Sequence, residues 1–234
     1  MHATDTSRWQ QAYLRQAGVI FALIGAVAIG LSLWSTWIAV VHTANERVVD
    51  STAASNVAIT AIFANHVWDD VAPLLPAGSV DEAAARDNPH LPAIDTIVRR
   101  FVGNTDIVKV KIFNLEGRTI YASYAKQLGE DKSDTSGFLG ARQGRPTTEM
   151  SFRESFIGFN GEFRSAHIVS SYLPVIRHDR IVAIAEIYTN RTYEVEASNR
   201  QLDELLRQLI KIFLGLFVVL LIFFRQVDKL RQRH

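Results

Sequence analysis

The chain has 234 residues, 48% hydrophobic and 21% charged, with a formal net charge of +1. That balance excludes a disordered acidic or basic tail and gives no whole-chain case for nucleic-acid binding. The absence of cysteine excludes disulfide scaffolds, thiolate zinc sites and cysteine nucleophiles.

The averages hide two apolar stretches. From Ala17 to Val41, 25 residues carry no charge, and at ~1.5 Å per residue they exceed the ~30 Å hydrocarbon core of a bilayer. Trp34 and Trp37 near its end suit interfacial anchors. A cleaved signal peptide would have a shorter apolar region and a small-x-small site, so an uncleaved membrane helix is expected. The second stretch, Ile212–Phe224, has 13 apolar residues and reaches spanning length only by extending back through Lys211, whose amine can snorkel. It reads as a second span.

Charge sets the expected orientation. Arg8 and Arg15 precede the first span, and Arg225, Lys229, Arg231 and Arg233 follow the second. Both termini are therefore expected in the cytoplasm, with the middle segment outside. That segment, His42–Gln208, holds 18 basic and 22 acidic residues. The expected divisions are an N-terminal tail (1–16), a first transmembrane helix (17–41), an extracytoplasmic domain (42–208), a second transmembrane helix (209–224) and the start of a cytoplasmic helix (225–234), which either continues beyond the sequence or is a basic membrane-anchoring tail that ends there. Val227, Leu230 and His234 continue helical spacing after Phe223.

Within the domain, Thr43–Leu75 reads helical, with apolar residues at Val48, Val49, Ala53, Val57, Ile59, Ile62, Phe63, Val67 and Val71 and no break before Pro73. A loop follows to His90, then a short amphipathic helix over Leu91–Phe101. After Gly103 the period becomes two. Ile107–Phe113 and Arg118–Tyr124 form a hairpin around Asn114–Gly117, a short helix spans Gly137–Gln143, and three strands follow at Thr147–Ile157, Phe163–Ile176 and Arg180–Thr189. Asn160-Gly161 is a hairpin signal, and His178-Asp179 separates the last two strands. Arg191–Gln208 is helical again. The fold class is α+β: a long N-terminal helix on a roughly five-stranded antiparallel sheet, flanked by two transmembrane helices.

Several of these segments carry a family resemblance. The two spans, the long helix, the run VKVKIFNLEGRTIYAS (108–123), LGED (128–131), ARQG (141–144) and SYLPVIRHDRIVAIAEIY (171–188) together resemble a Cache domain. This is the PAS-like extracytoplasmic sensor module of bacterial receptors, also called PDC, here in its single-module form. The resemblance implies a receptor input region, dimeric, binding a small carboxylate or amino acid over its sheet and feeding a histidine kinase, a cyclic-di-GMP enzyme or a chemoreceptor output. In carboxylate-binding relatives, basic residues on the middle strands and near the end of the long helix clamp the ligand. Guanidinium suits that role by bidentate pairing. Arg153 on the third strand is the nearest positional match, with Arg164, His167, Tyr121, Ser123 and His66 as further candidates. Glu154 stands where a second basic residue would be expected, which leaves amino acids and neutral ligands open beside carboxylates. Lys109 and Lys111, alternating against Val108, Val110 and Ile112, read as a solvated face.

Enzymatic signatures do not emerge. The seven histidines form no H-x-x-x-H or H-E-x-x-H pair. His66 and Asp70 would give a metal only two ligands, and Walker and G-x-S-x-G loops are lacking. The expected partners are a small molecule, membrane lipid and a second copy of the chain, with no nucleic acid, cofactor or metal. A membrane-anchored PAS-like module that docks a periplasmic protein without a small ligand is the alternative.

Overall fold

The computed structural model describes residues 3–76 and 81–231. The side chains of Arg8, Arg15, Val227, Lys229, Leu230 and Arg231, together with Arg233, His234 and loop residues 77–80, lie outside the described residues. The chain packs as two units, residues 1–44 and 45–234.

Helix α1 runs Ala3–His66 and helix α6 Thr192–Arg231. Each contains a stretch long and apolar enough to cross a membrane, by length and composition. Their large apolar side chains, including Ile24, Leu31 and Trp34 in the first and Leu214, Val219 and Phe223 in the second, are exposed, as suits surfaces meant for an apolar solvent.

The second unit is built on a five-stranded antiparallel sheet: β1 (Ile107–Phe113), β2 (Thr119–Ala122), β3 (Thr147–Gly158), β4 (Gly161–Arg177) and β5 (Arg180–Asn190), in the order β2-β1-β5-β4-β3. This is the expected PAS-like α+β arrangement. Consecutive strands β3, β4 and β5 pair through tight hairpins, and His178 and Asp179 both take positive φ, at 48° and 59°. A two-residue turn between right-twisted strands needs that geometry. At the other hairpin the loop residues are Phe159 and Asn160, with Gly161 at φ 112° already in the ladder.

Period-2 alternation gives the sheet two faces. Val110, Ile112, Leu173, Val175, Ala183, Ala185 and Ile187 form one, covered by Phe63, Ala64, Trp68 and Val71 and by Ile94, Val98 and Val102 of α4 (Leu91–Val102). The long helix ends earlier than its periodicity suggested. After His66 a turn at Val67 leads into α2 (Trp68–Val71) and a 3-10 turn over Ala72–Leu74, and a further short helix, α3 (Glu82–Arg86), occupies what reads in sequence as loop.

The side of α1 that meets the sheet also departs from the apolar pattern. Val57 and Ile62 are exposed, whereas Thr52, Asn56 and Thr60 are buried at four-residue intervals. Asn56 Nδ2 donates to Ser171 Oγ at 3.0 Å and to Thr189 Oγ1 at 3.2 Å, and Thr189 Oγ1 lies 3.2 Å from Asn56 Oδ1. The strands set hydroxyls where the helix arrives, so a polar stripe, not the most apolar one, is the complementary surface. The Thr60 hydroxyl is the exception, buried without a partner among the described residues, beside a small apolar void lined by Ile59, Phe63, Val110 and Ile187.

Asn56→Ala orphans part of this network in a closed interface, and is expected to lower stability by about 1–3 kcal/mol. Denaturant melts of the full chain in detergent measure it. Ser55→Ala, at the adjacent exposed position of α1, serves as the near-neutral control.

Candidate functional site

The other face of the sheet carries the chemistry. Cross-strand register sorts it into rows. The first row is apolar: Phe113, Ile184 and Pro174. Helix α5 (Ser136–Arg142) covers it with Phe138 and Ala141. Gly137 permits this approach, because a Cβ there would sit 2.4 Å from the Tyr172 ring.

The second row sets Lys111, Glu186, Tyr172 and Thr147 side by side across four strands. Lys111 and Glu186 are both buried. Lys111 Nζ lies 3.3 Å from Glu130 Oε2 and 3.8 Å from Glu186 Oε2. Tyr188 donates to Glu186 Oε1 at 2.6 Å. Burial first, and the Glu186 charge second, push the hydroxyls of Tyr172 and Tyr188 well above the ordinary tyrosine range, so both stay protonated donors.

The third row is Lys109, Tyr188, Ser170 and Glu149. Lys109 is 6% exposed. Its Nζ sits 4.1 Å from the centroid of the Phe156 ring, 5.4 Å from Tyr188 and 5.9 Å from Tyr124. Among the described residues no carboxylate or carbonyl accepts from it. Burial above all, then the neighbouring Lys111 charge, lowers its pKa to about 8, and Glu186 and Glu130 counteract only in part. The reading of Lys109 and Lys111 as a solvated face is therefore corrected. Alternation says that they share a face, but the chain between β2 and α5 and the curl of the β3–β4 hairpin put that face indoors. The hairpin is held by Phe159 N donating to Val108 O at 2.7 Å and by Arg99 Nη1 donating to Phe159 O at 3.0 Å.

The six residues singled out in the sequence are not gathered at one place. Arg153, on β3, is exposed, makes no described ion pair, and is near enough to Lys109 to oppose its protonation. Arg164 is exposed near the hairpin tip and pairs with Glu162. His167 belongs to the opposite face, its ring 5.2 Å from that of Phe152. Tyr121 is a core residue beneath the helices, its hydroxyl donating to Asp95 at 2.9 Å. Ser123 accepts from the Val110 amide at 3.1 Å. His66 is exposed at the end of α1. Arg153 thus stands beside the lysine face, and Lys109, Lys111, Glu186, Tyr188 and Tyr172 complete it. The signal that could have found them is two lysines alternating with branched apolar residues in one strand, opposite a later strand that carries Glu186 and Tyr188 at the same two-residue spacing.

A lysine whose pKa falls on folding destabilises the fold while it is charged. The penalty from Lys109 is present below about 8 and is relieved as pH rises from about 8 to 10.5, because the unfolded chain binds the extra proton there. Lys109→Met, which keeps the stem and removes the charge, is expected to gain on the order of 1 kcal/mol at neutral pH, or about 2–4 °C in Tm. Melts from pH 6 to 10.5 should show that advantage shrinking above pH 8.

No family model and no curated protein matches the chain. Among solved structures it is similar to the sensor domain of Escherichia coli DcuS, at 13% identity over 49% of this chain and 76% of that one, with a TM-score of 0.33. The sensor domain of the Vibrio cholerae histidine kinase DctB aligns at 11% identity over 67% of this chain and 57% of that one, with a TM-score of 0.41. The ligand-binding domain of the Campylobacter jejuni chemoreceptor Tlp3, solved with 4-methylisoleucine, aligns at 9% identity over 71% and 62%, with a TM-score of 0.37. Each of these neighbours is described as a sensor or ligand-binding domain.

Proposed function

We propose that this chain is the sensory input region of a bacterial membrane signalling receptor. Residues 17–41 and 209–224 cross the inner membrane, 42–208 form the extracytoplasmic sensor, and 225–234 begin a cytoplasmic helix. A small molecule binds on the lysine face of the sheet, and its presence is passed through α6. The chain itself performs no catalysis in this reading.

The observation that carries the proposal is the joint between β5 and α6. Strand β5 supplies Glu186 and Tyr188 to the lysine face and ends at Asn190, and α6 begins at Thr192. Arg191 alone stands between them. Its Nε donates to Thr52 Oγ1 of α1 at 2.9 Å, its Nη1 reaches Asp106 at 2.8 Å and Glu194 at 2.6 Å, and its amide donates to His167 O at 2.9 Å. A displacement on the floor of the site therefore reaches the exit helix within four residues, through a side chain also tied to the entry helix. A ligand shifts two such arrangements only by its differential affinity, and a 100-fold preference amounts to ~2.7 kcal/mol.

The exposed side of α1 offers the dimer seam. Ala54, Val57, Ala58, Ala61 and Ile62 recur at helical spacing and face solvent, which allows close approach of a second α1.

The natural absence of cysteine makes labelling clean. In lipid nanodiscs, Ala54→Cys and Ala61→Cys are expected to cross-link copies of the full chain, whereas Ala53→Cys and Ser55→Cys, about a quarter-turn to either side, give weaker products; equal yields at all phases would remove the α1 seam. A spin label at Leu209→Cys is expected to shift on addition of a stabilising compound from a carboxylate and amino-acid panel. In Arg191→Ala the compound should still raise Tm while the label's response falls severalfold. A panel that never moves Tm would point to partner docking instead.

A further inference from the structure

The two edges of the sheet are finished differently. Outside β2 the following loop closes the free side: Thr119 N donates to Glu130 O at 2.9 Å, Gly129 N to Thr119 O at 2.9 Å, and Lys132 N to Gly117 O at 2.8 Å. Strand β3, at the other edge, has no such cover. It is 12 residues long and pairs with β4 from Thr147 to Gly158 without a register shift. Among the described residues, no main-chain hydrogen bond joins 147–157 to anything but β4. The strand also lacks the usual guards of an open edge, since it contains no proline, no lysine and no register-shifting bulge.

We propose that the free edge of β3 is a docking site for an extended segment of another extracytoplasmic protein, which adds antiparallel to β3 as a sixth strand. A row of unpaired amides and carbonyls at two-residue spacing is matched by another extended main chain and by no small molecule.

Strand direction excludes a second copy of this chain. β3 and β5 run the same way, since each is antiparallel to β4, and α6 follows the end of β5 after one residue. Two copies joined antiparallel through β3 would send their α6 helices off opposite ends of the joined sheet. Each α6 carries a stretch apolar enough for a bilayer, so the two could not enter one membrane. Parallel pairing of β3 with itself fails as well. Donors meet acceptors there only with a stagger of an odd number of residues, which a two-fold axis does not give.

The side chains of β3 specify the segment. On the lysine face the strand presents Glu149, Ser151 and Arg153, and on the α1 face Thr148, Met150 and Phe152, followed by Glu154. Phe152 is 55% exposed beside the His167 ring. Glu149, Arg153 and Glu154 are exposed and make no described ion pair. Unlike charges and apolar pairs directly across a ladder stabilise it. Taken antiparallel to β3, the segment therefore sets a basic residue against Glu154, an acidic one against Arg153 and an apolar one against Phe152. A small polar residue against Ser151, an apolar one against Met150 and a basic one against Glu149 complete it.

The test uses the full chain in nanodiscs and its natural lack of cysteine. Arg145→Cys, at an exposed position two residues before β3, is joined by a disulfide to the peptide Thr-Lys-Glu-Val-Thr-Ile-Lys-Thr-Gly-Gly-Cys. The tether holds the peptide beside the edge at an effective concentration on the order of millimolar. Amide hydrogen exchange in 147–157 is expected to slow severalfold relative to the chain carrying Gly-Gly-Cys alone. Replacing the peptide's Glu by Lys should weaken docking about two- to fivefold, and Arg153→Glu should reverse the preference between the two peptides. Of two versions N-methylated at alternate amides, one should lose the protection and the other keep it, because only one set of amides faces β3. No slowing beyond the spacer control overturns the docking edge. Slowing that survives in both N-methylated versions overturns strand addition, and a peptide preference that Arg153→Glu leaves unchanged overturns the charge pattern. The sensor reading stands or falls separately, by the small-molecule panel.

Discussion

The buried amide of Asn56 sets where the long helix lies. Hydrophobic contact is indifferent to sliding by a turn, since Phe63 and Ala64 would find other apolar neighbours. An amide flanked by Ser171 and Thr189 has one satisfied position, and any slip leaves it and the Thr189 hydroxyl without these partners, while Ser171 keeps only Thr148. Thr52 repeats the device one turn earlier by accepting from Arg191. The helix face of the sheet, the location of Arg191 and the start of α6 all follow from that registration.

With one face committed to α1 and α4, the remaining face of the sheet is free to carry charge. Its rows grade from apolar beneath α5, through a neutralised Lys111–Glu186 pair, to Lys109 among rings. A fold selected only for stability would replace Lys109 with an apolar residue of similar length. Retaining a desolvated ammonium that no described carboxylate accepts from keeps a stability cost on this face. The same strand that bears Glu186 and Tyr188 leads into α6 after a single residue, so this face and the last helix share one backbone.

Much of the architecture was legible from residues taken locally. The change of period at Gly103, the VKVKIF alternation and the Asn160-Gly161 and His178-Asp179 turns point to their strands within one or two residues, and the two apolar runs to the presence of α1 and α6, because backbone sterics and solvent operate over a few residues at a time. Short helices α2 and α3 escaped, since fragments of four or five residues have too little periodicity to register.

The sequence by itself determined the five strands and the longer helices, that α1 and α6 contain stretches fit for a bilayer, and which strand side chains share a face. Only the tertiary structure decided which face is covered and by what. Val57 and Ile62 turn outward while Thr52, Asn56 and Thr60 turn inward, because the sheet presents hydroxyls there. Lys109 and Lys111 are buried because chain segments far along in sequence close over them, and Tyr121 and His167, a strand or two from the lysines, fall on the other side of the sheet. Periodicity is a property of neighbours in the chain, whereas burial and charge pairing are properties of neighbours in space, and the site is made of the second kind.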